Sequence, residues 1–209
     1  MMRKALVTGG TRGIGLSCVE ILTNRGFDVY YTGRSEPKGS HNGFLKADFS
    51  TRDGISDFCS KISSLEFDVL VNNAGVNNPK SLSEIDFPDI DWAFNINLIA
   101  PLMITKTVVP YMVKNRWGRV INIGSILGEI SREFRSVYSI TKSGIVGMTK
   151  AHSAEFAKSG VLVNCVAPGY LDTDLTRKNL GPQGILEISK QFPLVILVHH
   201  GISQKLYVT

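Results

Sequence analysis

Cysteine is scarce in this chain of 209 residues: Cys18, Cys59 and Cys165 are the only three, and none is spaced as a C-x-x-C pair or gathered with histidine. That scarcity excludes a disulfide scaffold and argues against a zinc centre; it leaves three buried thiols in a reducing compartment as the expectation. Histidine is almost as sparse. His41, His152, His199 and His200 have no neighbours that suggest a metal or a catalytic triad, and His41 is expected in a polar loop, His152 on a helix surface. No stretch approaches the about 18 consecutive apolar residues of a membrane span. The opening MMRKALVTGG carries too short an apolar run for a signal peptide. Internal repeats and low-complexity linkers are missing too. The net charge of +5 comes from dispersed lysines and arginines with no aromatic-studded run, so neither nucleic acid nor membrane is an expected partner. These absences leave a cytoplasmic, soluble, single domain.

What the chain does contain is an alternation. Short β-rich runs, KALVT, DVYYT, FLKAD, DVLVN, RVINIG and VLVNCVA, are separated by longer amphipathic stretches. The order of periods is that of an α/β fold, a Rossmann-type doubly wound parallel sheet with helices on both faces. The stretch GLSCVEILTNRG puts Cys18, Ile21 and Leu22 on one face and stops at Gly26, as a helix does at a glycine. Further helices are expected over residues 52–63, 92–115 and 138–158. Within the third, Pro101 and Pro110 each remove a backbone donor and crowd the preceding turn, which predicts a kink or break.

Directly after the first strand comes TGGTRGIG, residues 8–15, leading into the first helix. Glycines there allow a tight turn and a close backbone approach, and a helix N-terminus offers unpaired N–H groups to a pyrophosphate. Strand before and helix after is the context that makes this pattern a dinucleotide cradle. At the end of the second strand an acidic residue favours a free ribose 2′-hydroxyl, whereas an arginine accommodates a 2′-phosphate. This chain has Gly33 in the acidic position and Arg34 after it, with Arg12 inside the turn as a second fork-shaped cation. NADP(H) is therefore expected over NAD(H).

Downstream, SVYSITKSG places Tyr138 and Lys142 four residues apart on one helix face. The spacing alone does not separate a proton network from two surface neighbours. The other motifs in the chain do. With TGGTRGIG, NNAG at 72–75, Ser125 thirteen positions before Tyr138, Lys142, and APG at 167–169, the sequence resembles the short-chain dehydrogenase/reductase family from about Arg3 to about Pro193. It is most similar to members that reduce 3-oxoacyl groups on acyl carrier protein.

That resemblance implies an oxidoreductase that reduces a ketone to a secondary alcohol. The substrate would be a small carbonyl compound or a 3-oxoacyl thioester on acyl carrier protein, in fatty acid biosynthesis. The same site would also serve an NAD(P)-dependent alcohol or sugar dehydrogenase, and a silent nucleotide-binding protein would keep the motifs without turnover. The resemblance assigns Tyr138 as general acid, Lys142 as the cation that tunes it and meets the nicotinamide ribose, Ser125 as donor to the substrate oxygen, and Asn97 as holder of a relay water. A free tyrosine titrates near 10, so a neighbouring cation is what makes its proton exchange usable near neutrality. For the cofactor it implies Gly9, Thr11, Arg12, Gly13, Ile14 and Gly15 at the pyrophosphate, Arg34 at the 2′-phosphate, and Asp48 with Phe49 at the adenine. Asn73 and Gly75 would lie along the adenosine, and Gly169, Leu171 and Thr173 at the carboxamide. Asp48 has a structural alternative, capping a helix. No metal is implied. Family members assemble as homotetramers or homodimers.

The resemblance covers residues 1–194 and then stops. The tail at 195–209, VILVHHGISQKLYVT after SKQFPL, does not match the last helix and strand that the family carries.

Overall fold

The computed structural model describes residues 2–35 and 43–169. Expectations that fall outside them concern His41, Leu171, Thr173, His199, His200 and the tail at 195–209.

All six expected strands form: β1 (Lys4–Val7), β2 (Asp28–Gly33), β3 (Phe44–Lys46), β4 (Val69–Asn72), β5 (Gly118–Ile123) and β6 (Val161–Val166). They make one parallel sheet in the order β3-β2-β1-β4-β5-β6. The chain winds outward from β1 in one direction and then, from β4, in the other. The crevice at the carboxyl ends of β1 and β4 is the place where such sheets bind ligands.

Side chains alternate between the two faces along each strand, and both faces are buried at the central strands β1 and β4, whereas Leu162 and Asn164 of the edge strand β6 are exposed. Leu6 and Leu70 point to the face covered by α2 (Arg52–Ile62) and α4 (Ala100–Lys114), where Ile55, Phe58, Ile104, Val108 and Met112 pack. Ala5, Val7, Val69 and Val71 point to the opposite face, against Val19 of α1 (Gly13–Asn24). Thr51 caps α2 by accepting from the Gly54 N–H, which removes the capping alternative for Asp48.

The helix expected from residue 92 begins earlier. A capping box between Asp86 and Asp89, with Pro88 in the first turn, starts α3 at Phe87 and carries it to Phe94. The break expected near Pro101 is a wide turn, Asn95–Ile99, in which the Ala100 N–H bonds back five residues to the Asn95 carbonyl. Pro101 lacks the N–H that would have bonded the Asn97 carbonyl four residues back. Pro110 is accommodated inside α4 on its exposed side. The run Phe87–Lys114 is long and apolar enough to cross a membrane by composition. Its apolar residues Ile104, Val108 and Met112 are instead spent on the sheet. Last comes α5 (Ser136–Phe156), packed along β6 and starting two residues before the expected point.

The three cysteines are free thiols but only partly buried, a correction to the expectation of full burial. His152 lies on α5, as expected, but is partly buried there. It packs beside Phe156 with its Nδ1 shielded from solvent, and that burial lowers its pKa.

Candidate active site

A cleft of about 420 Å³ opens at the carboxyl ends of the strands, with the glycine turn, the ends of β2 and β5, and the first turns of α5 in its walls. The glycine turn is pinned from both sides. Asn73 donates from Nδ2 to the carbonyls of Thr8 and Gly9, each at 3.0 Å. The Thr8 hydroxyl accepts from the N–H groups of Asn73 and Ala74. On the other flank the Gly9 N–H donates to the Thr32 hydroxyl, and the Gly10 N–H to the Thr32 carbonyl. Gly15 lies beneath the turn, where a Cβ would stand 2.1 Å from the Gly9 carbonyl oxygen. Arg12 precedes α1 without a side-chain cap, and the first turn holds no acidic residue. The helix therefore presents N–H groups and a positive dipole end to the cleft, which suits a pyrophosphate.

Gly33 and Arg34 both line the cleft beside Thr11 and Arg12. A Cβ at position 33 would come within 2.5 Å of the Thr11 γ-methyl, so the turn and the strand end are packed around the absence of an acidic side chain there. Asp48 sits across from Arg34. Its carboxylate accepts from the Ser50 N–H at 3.0 Å, and the Ser50 contacts, then the Arg34 charge, hold its pKa below the usual value. Phe49 lines the same wall, as do Asn73, Gly75 and Gly169.

The reactive end of the cleft holds Ser125, Tyr138 and Lys142. Ser125 follows β5, and its Oγ accepts from the Leu127 N–H at 3.1 Å. That bond fixes the hydroxyl oxygen and leaves its proton to be donated into the cleft. Lys142 is buried, and its Nζ donates to the Ile123 carbonyl at 2.7 Å and stands 5.7 Å from the centre of the Tyr138 ring. Burial drives its pKa down to about 8, against a smaller upward pull from neighbouring Cys165. An ammonium so poorly solvated is a strong partner for any negative charge that appears beside it.

Asn97 does not face the cleft itself. It lies buried behind Gly75: Oδ1 accepts from the Val76 N–H, and Nδ2 donates to the Val76 carbonyl and the Thr141 hydroxyl. It thus ties the segment after β4 to α5 one residue before Lys142. Gly15 is likewise behind the wall rather than in it. Every other site residue expected from sequence within the described residues lines the cleft.

A second, smaller cavity of about 20 Å³ adjoins Tyr138, lined by Asn77, Asn78, Lys80, Asp89 and Trp92 with the apolar Val76, Ile85, Ala93 and Val137. Lys80 and Asp89 form an ion pair at its edge. The signal for it was the run PKSLSEIDFPDID, where one lysine sits among four carboxylates. Sequence reasoning missed the buried pairing of Asn72 with Asn122, polar residues in otherwise apolar strands.

Comparison with known proteins gives one consistent result. The family model for short chain dehydrogenases matches residues 3–183. The 3-oxoacyl-acyl carrier protein reductase of Chlamydia pneumoniae is 33% identical over 187 residues, which span 83% of this chain and 75% of that protein. The enzyme of the same name from Vibrio harveyi is 35% identical over 188 residues, with the same coverage. Among solved structures, a putative NAD(P)-dependent gluconate 5-dehydrogenase from Beutenbergia cavernae with bound NADP superposes with a TM-score of 0.85 at 27% identity, covering 91% of this chain and 82% of that one. A putative beta-ketoacyl-acyl carrier protein reductase superposes with a TM-score of 0.77 at 32% identity, covering 86% and 77%.

Proposed function

The chain belongs to the short-chain dehydrogenase family and is an NAD(P)H-dependent oxidoreductase, and from that premise we propose that it uses NADP(H) to reduce a ketone to a secondary alcohol. The observation that carries this reading is the sharing of one cleft: Ser125, Tyr138 and Lys142 stand at one end, Gly33 and Arg34 at the other. The uncapped start of α1 and the close packing of the glycine turn on α1 that Gly15 permits fit a bound dinucleotide. When bound, that cofactor supplies the hydride to the carbonyl carbon.

The protein's own groups manage the oxygen. Ser125, its Oγ fixed by the Leu127 N–H, donates to the carbonyl oxygen and holds it facing Tyr138. Tyr138 gives up its phenolic proton to that oxygen, leaving a phenolate. Lys142, buried and close to the ring, offsets the new charge and lowers the barrier to forming it. Asn97 keeps the segment after β4 and α5 in register while this happens.

For the substrate, the two curated relatives support a 3-oxoacyl thioester on acyl carrier protein, with a place in fatty acid synthesis. A second reading is favoured by the small cavity beside Tyr138. Its volume admits about one water-sized group, and Asn77, Asn78, Lys80 and Asp89 bring polar atoms that a hydroxyl could meet into a lining completed by the apolar Val76, Ile85, Ala93 and Val137. Glu84 and Asp86 add further negative charge around Lys80, which disfavours an acidic carrier at that rim. The likeness to a gluconate dehydrogenase points the same way, toward a small hydroxylated ketone.

We further propose a cytoplasmic homotetramer or homodimer, and light scattering on purified protein checks the assembly. Its activity is tested by NADPH oxidation with an acetoacetyl thioester, hydroxyacetone and butanone. Turnover of the thioester alone supports the first substrate. Hydroxyacetone over butanone supports the second. NADPH binding without turnover of any ketone would mean a nucleotide-binding protein instead.

A further inference from the structure

Two asparagine–threonine bonds fasten α5, one on each side of Lys142. On one side Asn97 donates to Thr141, whose own hydroxyl donates to the Tyr138 carbonyl. On the other, Asn122 donates from Nδ2 to the Thr149 hydroxyl at 2.9 Å, and that hydroxyl donates to the Ile145 carbonyl at 2.7 Å. Each threonine spends its proton on its own helix, so its lone pairs are left facing the asparagine. Asn122 is fully buried, and its Oδ1 accepts from Asn72 Nδ2 at 2.8 Å. Asn72 donates in turn to Thr105 of α4 at 3.1 Å.

The position of Asn122 gives this chain its interest. It is the residue before Ile123, whose carbonyl is the acceptor for Lys142. Thr149 lies seven residues after Lys142, two turns on and on the same helix face. The Asn122–Thr149 bond and the Lys142–Ile123 bond are therefore parallel ties between the same helix and the end of the same strand. A helix sliding or rolling on β5 breaks both together.

We propose that Asn122 and Thr149 are positioning residues for the reaction: they set α5 on β5 so that the Lys142 ammonium meets the Ile123 carbonyl. This rests on Lys142 serving the reduction described above. Lys142 needs such a device because it is buried and, among the described residues, no carboxylate holds it. Among the described residues, the titratable groups facing it are Tyr138 on its own helix and the Cys165 thiol on β6. Cys165 also adjoins Thr149, so the experiment is run in a Cys165→Ala background as well.

The test is the alkaline limb of the kcat/KM profile for the best ketone found, followed with kcat and Tm. Thr149→Val removes the hydroxyl at nearly constant shape. Freed from its carbonyl, Lys142 holds its proton less well, so the limb moves down by about half a pH unit or more and kcat falls roughly tenfold. Thr149→Ser restores both. Thr105→Val cuts the far end of the chain, which bonds only Asn72, and lowers Tm while leaving limb and kcat in place. If Thr149→Val does not fold, Thr149→Ala is read in the same way. A Thr149 variant with a lower Tm but the wild-type limb and kcat overturns the proposal, and so does a Thr105→Val enzyme with a shifted limb. Failure of the underlying reading looks different, because then wild type and all variants leave NADPH unconsumed.

Discussion

The ammonium of Lys142 lies 5.7 Å from the centre of the Tyr138 ring while donating to the last carbonyl of β5. The charge that stabilises a tyrosinate is thus anchored to the sheet and does not depend on the tyrosine for its position. Tyr138→Phe should therefore leave the ammonium, the cleft and NADPH binding in place and remove only the proton donor. The expected loss in kcat is on the order of a hundredfold or more. Stopped-flow hydride transfer beside a fluorescence titration of NADPH checks it, and a Tyr138→Phe enzyme with wild-type turnover would dismiss Tyr138 as the acid.

Lys142 ties activity and stability to pH in opposite senses. Its folded pKa is about 8, below the reference value of 10.5. As pH rises past 8 the ammonium is lost, so kcat/KM for reduction should fall above that point. For stability, the unfolded chain holds more protons than the folded one between 8 and 10.5, so folding becomes more favourable as pH rises through that window. Below 8 both states are charged and the fold carries the full desolvation penalty. Lys142→Met should be inactive yet melt higher than wild type near neutrality, with the gap closing toward pH 10.5. Thermal denaturation of both proteins across that range reads the difference directly.

Cofactor choice should be reversible only by changing two places at once. Gly33→Asp puts its Cβ against the Thr11 γ-methyl, 2.5 Å away, so alone it should weaken both NADPH and NADH. Thr11→Ser removes that methyl, and the double variant is expected to favour NADH. Arg34→Leu should lower the preference for NADPH over NADH by on the order of tenfold or more. Dissociation constants for the two cofactors across the set decide it; unchanged preference in Arg34→Leu would remove that arginine from the 2′-phosphate.

Gly15→Ala should damage binding through the turn above it. The new methyl meets the Gly9 carbonyl at 2.1 Å and Asn73 Nδ2 at 2.4 Å, and neither is free to yield without breaking the Asn73 bonds to Thr8 and Gly9. A rise in the NADPH dissociation constant of at least about tenfold is expected, with a lowered Tm. Calorimetry on the folded variant is the measurement.

Much of this site was legible in the residues because its parts announce themselves locally. Both faces of the sheet are buried at its central strands, so these read as short apolar runs, and all six strands were found. The glycine turn, Gly33 with Arg34, and the Tyr138–Lys142 spacing each fall within a few residues. The start of α3 was missed although Asp86, Pro88 and Asp89 spell a helix N-terminus, because the apolar pattern of Trp92 onward drew the boundary later. Asn122 could not be read at all. Its meaning depends on strand register that pairs it with Asn72 and on a helix that brings Thr149 overhead, and neither is a property of nearby sequence. The Thr11–Gly33 packing is of the same kind.

The wide turn at Asn95–Ile99 has a consequence for reading and editing the chain. A turn closed over five residues holds one residue more than a regular one, and each residue rotates a helix by about 100°. The run before the turn and the run after it are therefore out of phase, although no break separates them. That offset lets Asn97 face Val76 and Thr141 while Ile104, Val108 and Met112 still face the sheet. Deleting one residue between 95 and 99 would regularise the helix and leave the runs on either side facing as they do, but the asparagine would lose the widened turn that aims it at Val76 and Thr141.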